Sequence, residues 1–229
     1  MLAKKYKSEI VSINNPFTGI YTLELKSMGR AFKYHPGQFL HLSTDANYDG
    51  IGQWPESRCF SMQSNPKEET IRITYTVKGD FTRDMEQTLK PGIELWLKLP
   101  YGNLFNQNHK KDNTVFIAGG TGVTPFLSLF TSSLFTEYNN PMLYAGFRNE
   151  KMNVYKKELQ QAKQINQGFH IYTIYENKNG NLNIEKILKS CDKNTFFFIS
   201  GPPDMIASFK DFILEQGIDI NQLRTDDWE

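Results

Sequence analysis

The segment Asn113-Thr114-Val115-Phe116-Ile117-Ala118 runs without a charge into Gly119-Gly120-Thr121-Gly122-Val123-Thr124-Pro125, and then into Phe126-Leu127-Ser128-Leu129-Phe130. Few folds accommodate that order. The first part reads as a buried strand, the second as a glycine turn and the third as the opening of a helix. Such a passage leaves several backbone N–H groups aimed at one point. The helix dipole adds partial positive charge there, so the place suits a phosphate or pyrophosphate. Glycine lets the backbone turn sharply and approach an anion with no Cβ in the way. Thr124 is expected to cap the helix through its hydroxyl, with Pro125 at the first helical position, where no N–H is needed. The spacing is Gly-x-Gly with Pro125 in place of a third glycine, which departs from the common dinucleotide fingerprint. An ordinary strand-to-helix turn stands as the alternative for this motif alone.

The pattern on either side of residue 110 differs in period. Before it, segments 8–13, 20–26, 38–43, 58–63, 70–77 and 94–99 alternate with a period near two. Turn signals such as Asn15-Pro16, Pro36-Gly37, Asn65-Pro66 and Pro91-Gly92 bound them. Short strands at this spacing predict a small antiparallel Greek-key barrel, interrupted by one helix at 81–89. After it, strands at 115–118, 142–147, 169–175 and 195–200 alternate with helices at 125–135, 154–165, 184–190 and 204–215. That alternation predicts a doubly wound parallel sheet. The polar, lysine-containing stretch 106–112 marks the boundary. The expected organisation is therefore an α+β two-domain chain, with an antiparallel Greek-key β-barrel over residues 1–108 and an α/β parallel sheet over 109–229.

Composition removes several function classes. The 229 residues carry 26 basic and 25 acidic side chains, so there is no electrostatic case for nucleic acid or an anionic membrane as partner. The basic start Met1-Leu2-Ala3-Lys4-Lys5-Tyr6-Lys7 has no apolar stretch behind it, and no apolar run approaches the roughly 20 residues of a membrane helix. Membrane insertion is not expected. Cys59 and Cys191 are too few and too far apart for a Cys-x-x-Cys pair or a Cys₄ iron–sulfur site within this chain, and a reducing cytoplasm is the default compartment. His35, His41, His109 and His170 are scattered, no further ligands accompany them, and no metal site is expected. A Gly-x-Ser-x-Gly elbow is missing, so hydrolysis has little support.

Three further motifs carry chemistry. In Arg58-Cys59-Phe60-Ser61 a strand presents an arginine and an aromatic on one face, a guanidinium for a pyrophosphate and a ring for a planar heterocycle. The alternative is an edge-strand arginine beside a core phenylalanine. Gly79-Asp80-Phe81-Thr82 opens a helix after a glycine and suits a second phosphate, or is simply a helix capped by Asp80 or Thr82. Ser200-Gly201-Pro202-Pro203-Asp204-Met205 turns the chain abruptly after the apolar strand Phe196-Phe197-Phe198-Ile199, at the strand end where open α/β sheets collect ligands, with a plain strand-to-helix loop as the alternative.

Taken in order, Arg-x-aromatic-Ser, Gly-x-x-Thr, Gly-Gly-x-Gly-x-Thr-Pro and Gly-Pro-Pro-x-Met resemble the ferredoxin–NADP(+) reductase superfamily. The match runs from His35-Pro36-Gly37-Gln38-Phe39 to the C-terminus. The resemblance implies a flavin-binding barrel, then a nicotinamide nucleotide domain, with hydride passing from NAD(P)H to flavin N5 and electrons leaving to a protein or small-molecule acceptor. It implies that Arg58 holds the flavin phosphate, Phe60 lies against the isoalloxazine and Ser61 bonds near N5. Thr76, Val77, Lys78, Gly79, Phe81 and Thr82 would line the pyrophosphate. Gly120, Thr121 and Gly122 would bind the nicotinamide nucleotide, Thr124 would touch the flavin, and Gly201, Pro202 and Met205 would shape the nicotinamide pocket. Ser61 and Ser200 are the candidate catalytic residues.

The chain departs from the family at three places: Phe60 replaces a tyrosine, Ser200 replaces a cysteine, and the one candidate for a terminal aromatic that covers the flavin is Trp228, which reads equally as a surface or packing tryptophan. FAD is expected ahead of FMN, because Gly79–Thr82 suits a pyrophosphate. NADH and NADPH are balanced, with Arg148 and Lys151 favouring a 2′-phosphate and Glu176 opposing it. The acceptor would be an electron-carrier protein or an oxygenase for a reductase subunit idle on its own; Lys110-Lys111 reads as solvated linker, with a basic face for an acidic carrier as the alternative. A nucleotide-binding regulatory module without electron transfer is the third alternative.

Overall fold

The computed structural model describes residues 2–226, and Trp228 lies outside them. The polypeptide divides into Met1–Asn103 and Leu104–Glu229. Sequence placed the change at 108/109. The division falls earlier because Leu104 is buried in the second core and Phe105 packs there too, its ring 4.9 Å from that of Phe198.

The first unit is a nearly closed antiparallel barrel. Its strands are β1 (Lys4–Phe17), β2 (Ile20–Ser27), β3 (Phe39–Ser43), β4 (Arg58–Ser61), β5 (Thr70–Thr76) and β6 (Glu94–Tyr101), paired in the order β4-β3-β6-β1-β2-β5. Just past β4, Gln63 N–H donates to the Arg72 carbonyl of β5 at 2.9 Å, which brings the two outer strands together. Alternation does the folding here. Leu95, Leu97 and Leu99 of β6 point inward with Leu23, Leu25, Ile71 and Ile73, while Trp96 and Lys98 do not. Each buried aliphatic contributes about 1.5–3 kcal/mol. One helix, α1 (Asp80–Thr88), follows β5. Asn15-Pro16 is not a turn between strands. β1 runs through it with an irregular register between Asn14 and Phe17, and Asn15 Nδ2 donates to the carbonyls of Phe17 and Ile20, each at 3.0 Å. Proline, which has no N–H to give a ladder, sits where the pairing is interrupted.

The second unit is a five-stranded parallel sheet. β7 (Thr114–Gly119), β8 (Met142–Phe147), β9 (His170–Tyr175), β10 (Phe196–Ser200) and β11 (Leu223–Thr225) lie in the order β11-β10-β7-β8-β9. Helices α2 (Thr124–Phe130), α3 (Lys156–Ile165), α4 (Glu176–Asn179), α5 (Ile184–Leu188) and α6 (Pro203–Glu215) connect the strands. Phe116, Phe196 and Phe198 face one core with Phe126, Phe130 and Phe135, whereas Val115, Ile117, Phe197 and Ile199 face the other with Ile206 and Ile213. Both faces of the central strands are therefore covered, which is why they read as unbroken apolar runs. α2 ends sooner than its sequence pattern, because residues Ser133–Glu137 tighten into a 3-10 turn. α3 likewise begins at Lys156 and α5 stops at Leu188.

Candidate functional site

In the barrel unit the motif residues gather around β4 and the start of α1. Arg58 is exposed: Nη2 lies 2.9 Å from Glu56 Oε1, and Nη1 donates to the Ser57 carbonyl at 2.9 Å. Its guanidinium covers the Phe81 ring at 4.9 Å from the centroid, a cation–π contact that leaves the outer side of the charge open to water. Phe60 is separated from Arg58 by depth. It is 9% exposed, belongs to the barrel core and meets Tyr75 edge-on at 6.1 Å, so little of its ring is offered to a heterocycle. Ser61 is 8% exposed, and its hydroxyl forms no hydrogen bond among the described residues.

Thr82 ties the α1 turn together. Its Oγ1 accepts from Lys78 N at 2.9 Å and from Gly79 N at 3.2 Å, reaching back from the third helical position to the cap. Gly79 is the cap residue, Asp80 pairs with Arg83, and Val77 N–H is given to the Gly19 carbonyl at 2.9 Å. Thr76, Val77 and Lys78 can thus offer a ligand carbonyls and side chains, while free N–H groups begin at Asp80. The first intrahelical bond at this end is Arg83 N–H to Gly79 O, at 3.0 Å. Gly79 has φ −129°, which any residue adopts, and a Cβ there would meet nothing within 4 Å. Nothing in the fold itself demands glycine at this position.

In the sheet unit, two motifs far apart in sequence meet. Ser200 of β10 pairs with Ala118 of β7, so the turns that follow the two strands lie side by side. A Cβ on Gly122 would fall 2.5 Å from Gly201 Cα and 2.5 Å from the Ser200 carbonyl oxygen. A Cβ on Gly119 would fall 2.8 Å from Pro202 Cδ and 2.9 Å from Met205 Sδ. β7 connects onward to β8 on one side while β10 lies on the other, which makes this the topological switch point, the place where open parallel sheets take ligands. Gly120, with φ +55°, faces open space, and Thr121 beside it is half-buried.

Thr124 does not cap α2. Its hydroxyl donates to the Thr121 carbonyl at 2.8 Å, and the capping residue is Val123, because residues Gly120–Val123 already form a 3-10 turn that leads into the helix. Pro125 does occupy the first turn. Ser200 is 2% exposed and donates to Asp226 Oδ2 at 3.2 Å, and Asp226 N–H donates to the Ile199 carbonyl at 2.9 Å. Asp226 was missed from sequence, where the terminal segment drew notice only for Trp228. The strand that positions it, β11, is three residues long.

Burial raises the Cys59 thiol and pushes Cys191 up to about 11, so both stay protonated near neutrality. His41 lies 3.3 Å from Ser57 Oγ, and Lys111 pairs with Glu137. No helix among the described residues is long and apolar enough to cross a membrane.

Residues 116–211 match the family model described as Oxidoreductase NAD-binding domain. Among curated proteins, the chain is 24% identical to a flavohemoprotein of Rhizobium meliloti over 91% of its own length and 57% of the relative's. It is 25% identical to the glycine betaine monooxygenase reductase subunit of Pseudomonas aeruginosa over 83% of its own length and 55% of the relative's. The chain thus spans a little over half of each. Among solved structures it superposes on a ferredoxin NADP+ reductase from Neisseria gonorrhoeae with bound FAD and NADP, with TM-score 0.81 and 16% identity over 99% of this chain and 98% of that one. The FAD/NAD binding domain of a nitric oxide dioxygenase from Vibrio cholerae gives TM-score 0.79 and 17% identity over 97% and 98%. The chain therefore has the two-unit fold of ferredoxin–NADP(+) reductase-like proteins, and its second unit carries the match to the oxidoreductase NAD-binding domain.

Proposed function

We propose that this chain is an NAD(P)H-dependent flavin oxidoreductase that takes a hydride from the nicotinamide donor and passes the electrons to a separate acceptor. The observation that carries this is the meeting of two turns at the switch point of the parallel sheet, where Gly119, Gly122 and Gly201 pack too closely to carry a β-carbon of their own and Gly120 faces open space. A dinucleotide pyrophosphate needs such a backbone approach.

The barrel residues fit a flavin dinucleotide. Arg58 presents an exposed charge, the first turn of α1 presents unbonded N–H groups, and Gly79 keeps open a space that the fold does not use. Arg58 and the α1 turn would hold the pyrophosphate, and the unpartnered Ser61 hydroxyl would hydrogen-bond the heterocycle edge. Phe60 would offer only its exposed margin. Bound flavin supplies the redox chemistry, accepting two electrons and releasing them to the acceptor. Ser200 acts as a positioning residue: its hydroxyl is committed to Asp226, and the pair fixes the Gly201-Pro202 turn beside the donor.

The acceptor is a partner protein. Two cysteines cannot ligate an iron–sulfur cluster of four thiolates within this chain, and one relative is named as the reductase subunit of a monooxygenase. A reducing cytoplasm suits the two protonated, unpaired thiols. Turnover with dyes and poor turnover with oxygen would support a partner-serving reductase. Purified chain that binds neither FAD nor FMN would overturn the whole proposal.

A further inference from the structure

The long open edge of the parallel sheet is β9, and its free backbone groups match their own copies. β9 has β8 on one side and no strand on the other among the described residues, whereas the opposite edge strand, β11, is only three residues long. His170 N–H donates to the Pro141 carbonyl at 2.9 Å. With His170 in register with Met142 and Tyr172 with Tyr144, that bond turns the backbone groups of His170, Tyr172 and Ile174 towards β8. The N–H and C=O of Ile171 and Thr173, and the N–H of Tyr175, point away from the sheet instead. None of these outward groups has a partner among the described residues.

Monomeric proteins blunt such an edge with lysine, proline or a bulge. His170-Ile171-Tyr172-Thr173-Ile174-Tyr175 contains no lysine, arginine, carboxylate or proline, and its register on β8 is unbroken. Tyr172 is 45% exposed, although its ring stacks on Tyr144 at 4.7 Å.

Antiparallel pairing about a two-fold axis at Thr173 satisfies this edge from one sequence. Thr173 exchanges both bonds with Thr173 of a second copy, and Tyr175 N–H reaches the Ile171 carbonyl across the axis, about four hydrogen bonds in all. Tyr172 then falls opposite Ile174 of the second copy, an aromatic beside a β-branched side chain. The exposed His170 imidazole falls opposite the exposed Glu176 carboxylate, which has no ion pair among the described residues. Both pairs recur on the far side of the axis, as an isologous contact requires. We propose that β9 is a homodimer interface, at which two copies of this chain join their parallel sheets edge to edge.

The test is sedimentation velocity of the full chain from about 1 to about 200 µM, a range suited to a small interface, with amide hydrogen exchange read at both ends of it. The expected result is a dimer that grows with concentration. Protection should rise at the Thr173 and Tyr175 amides and stay constant at Tyr172 and Ile174, which β8 already holds. Thr173→Pro removes the central donor at a position whose N–H faces outward, where an edge strand tolerates proline, and should leave a folded monomer. Tyr172→Lys should weaken association by about tenfold or more. If Thr173→Pro fails to fold, Tyr172→Lys and the wild-type exchange pattern decide. A chain that stays monomeric throughout, its edge free for an extended segment of another protein, would overturn the proposal. So would a dimer that Tyr172→Lys leaves intact, or one that forms without protecting Thr173 and Tyr175.

Discussion

Gly122 and Gly201 touch through their backbones, so closely that a β-carbon on the first would sit 2.5 Å from the α-carbon of the second. Gly122→Ala must therefore push two strand-end turns apart. It should destabilise the protein by about 1–3 kcal/mol through overpacking. Gly120→Ala should cost nearer 1 kcal/mol, for the positive φ alone, since its surroundings are open. Thermal melts of both variants check the order, and a Gly122→Ala melt equal to wild type would contradict the close packing.

Gly79 presents the opposite case. With extended backbone and empty space around it, Gly79→Ala should leave the melting temperature of the flavin-free protein unchanged while weakening FAD binding by about tenfold or more. Arg58→Ala should behave alike, because its bond to Glu56 is exposed and contributes at most about 0.5–1 kcal/mol. Fluorescence titration with FAD reads the affinity. Full retention of FAD by both variants would remove the barrel end as the phosphate site.

The two serines should separate. Ser200→Ala deprives the buried Asp226 carboxylate of a donor and should cost about 1–3 kcal/mol in urea unfolding. Ser61→Ala removes a hydroxyl with no hydrogen-bond partner among the described residues, so stability should stay within about 0.5 kcal/mol while flavin reduction slows by about tenfold. Unfolding curves and stopped-flow reduction distinguish them. A Ser61→Ala protein that reduces flavin at the wild-type rate would leave that residue without a catalytic role.

Acid should weaken the fold through histidine. His109 Nδ1 donates to the Gln107 carbonyl at 2.8 Å, so Nε2 must accept from the Tyr138 hydroxyl at 2.6 Å, and burial lowers its pKa from 6.5. Burial and Lys98 lower His41 in the same direction. The unfolded chain takes up these protons first as pH falls. Stability is therefore whole above the unfolded value of 6.5 and declines below it, until the folded pKa values are passed. Urea midpoints should be lower near pH 5.5 than near pH 8, with the difference reduced in His109→Gln. A midpoint as high under acid would contradict the assignment.

Much of this architecture was legible from side-chain period. The alternation of Leu95, Leu97 and Leu99 and the unbroken Phe196-Phe197-Phe198-Ile199 run each named the correct kind of sheet. What escaped was set by contacts rather than pattern. β11 is too short to show a period and exists because β10 offers an edge. Thr124 looked like a cap, yet the 3-10 turn before it moved the helix start. Phe60 and Arg58 have strand spacing for a shared face, but the depth that divides them depends on how nearly the barrel closes. Four motifs pointed at the start of α1 and at the paired turns after β7 and β10, while the Ser200–Asp226 bond was invisible because its acceptor follows the unforeseen strand.

The most direct test of the central claim is the visible spectrum of the purified chain with FAD, recorded anaerobically before and after NADH or NADPH is added. The predicted result is a bound-flavin band that bleaches with at least one donor. A protein that takes up no FAD, or holds it with the band unchanged by either donor, would contradict the claim that this chain moves electrons from nicotinamide to flavin.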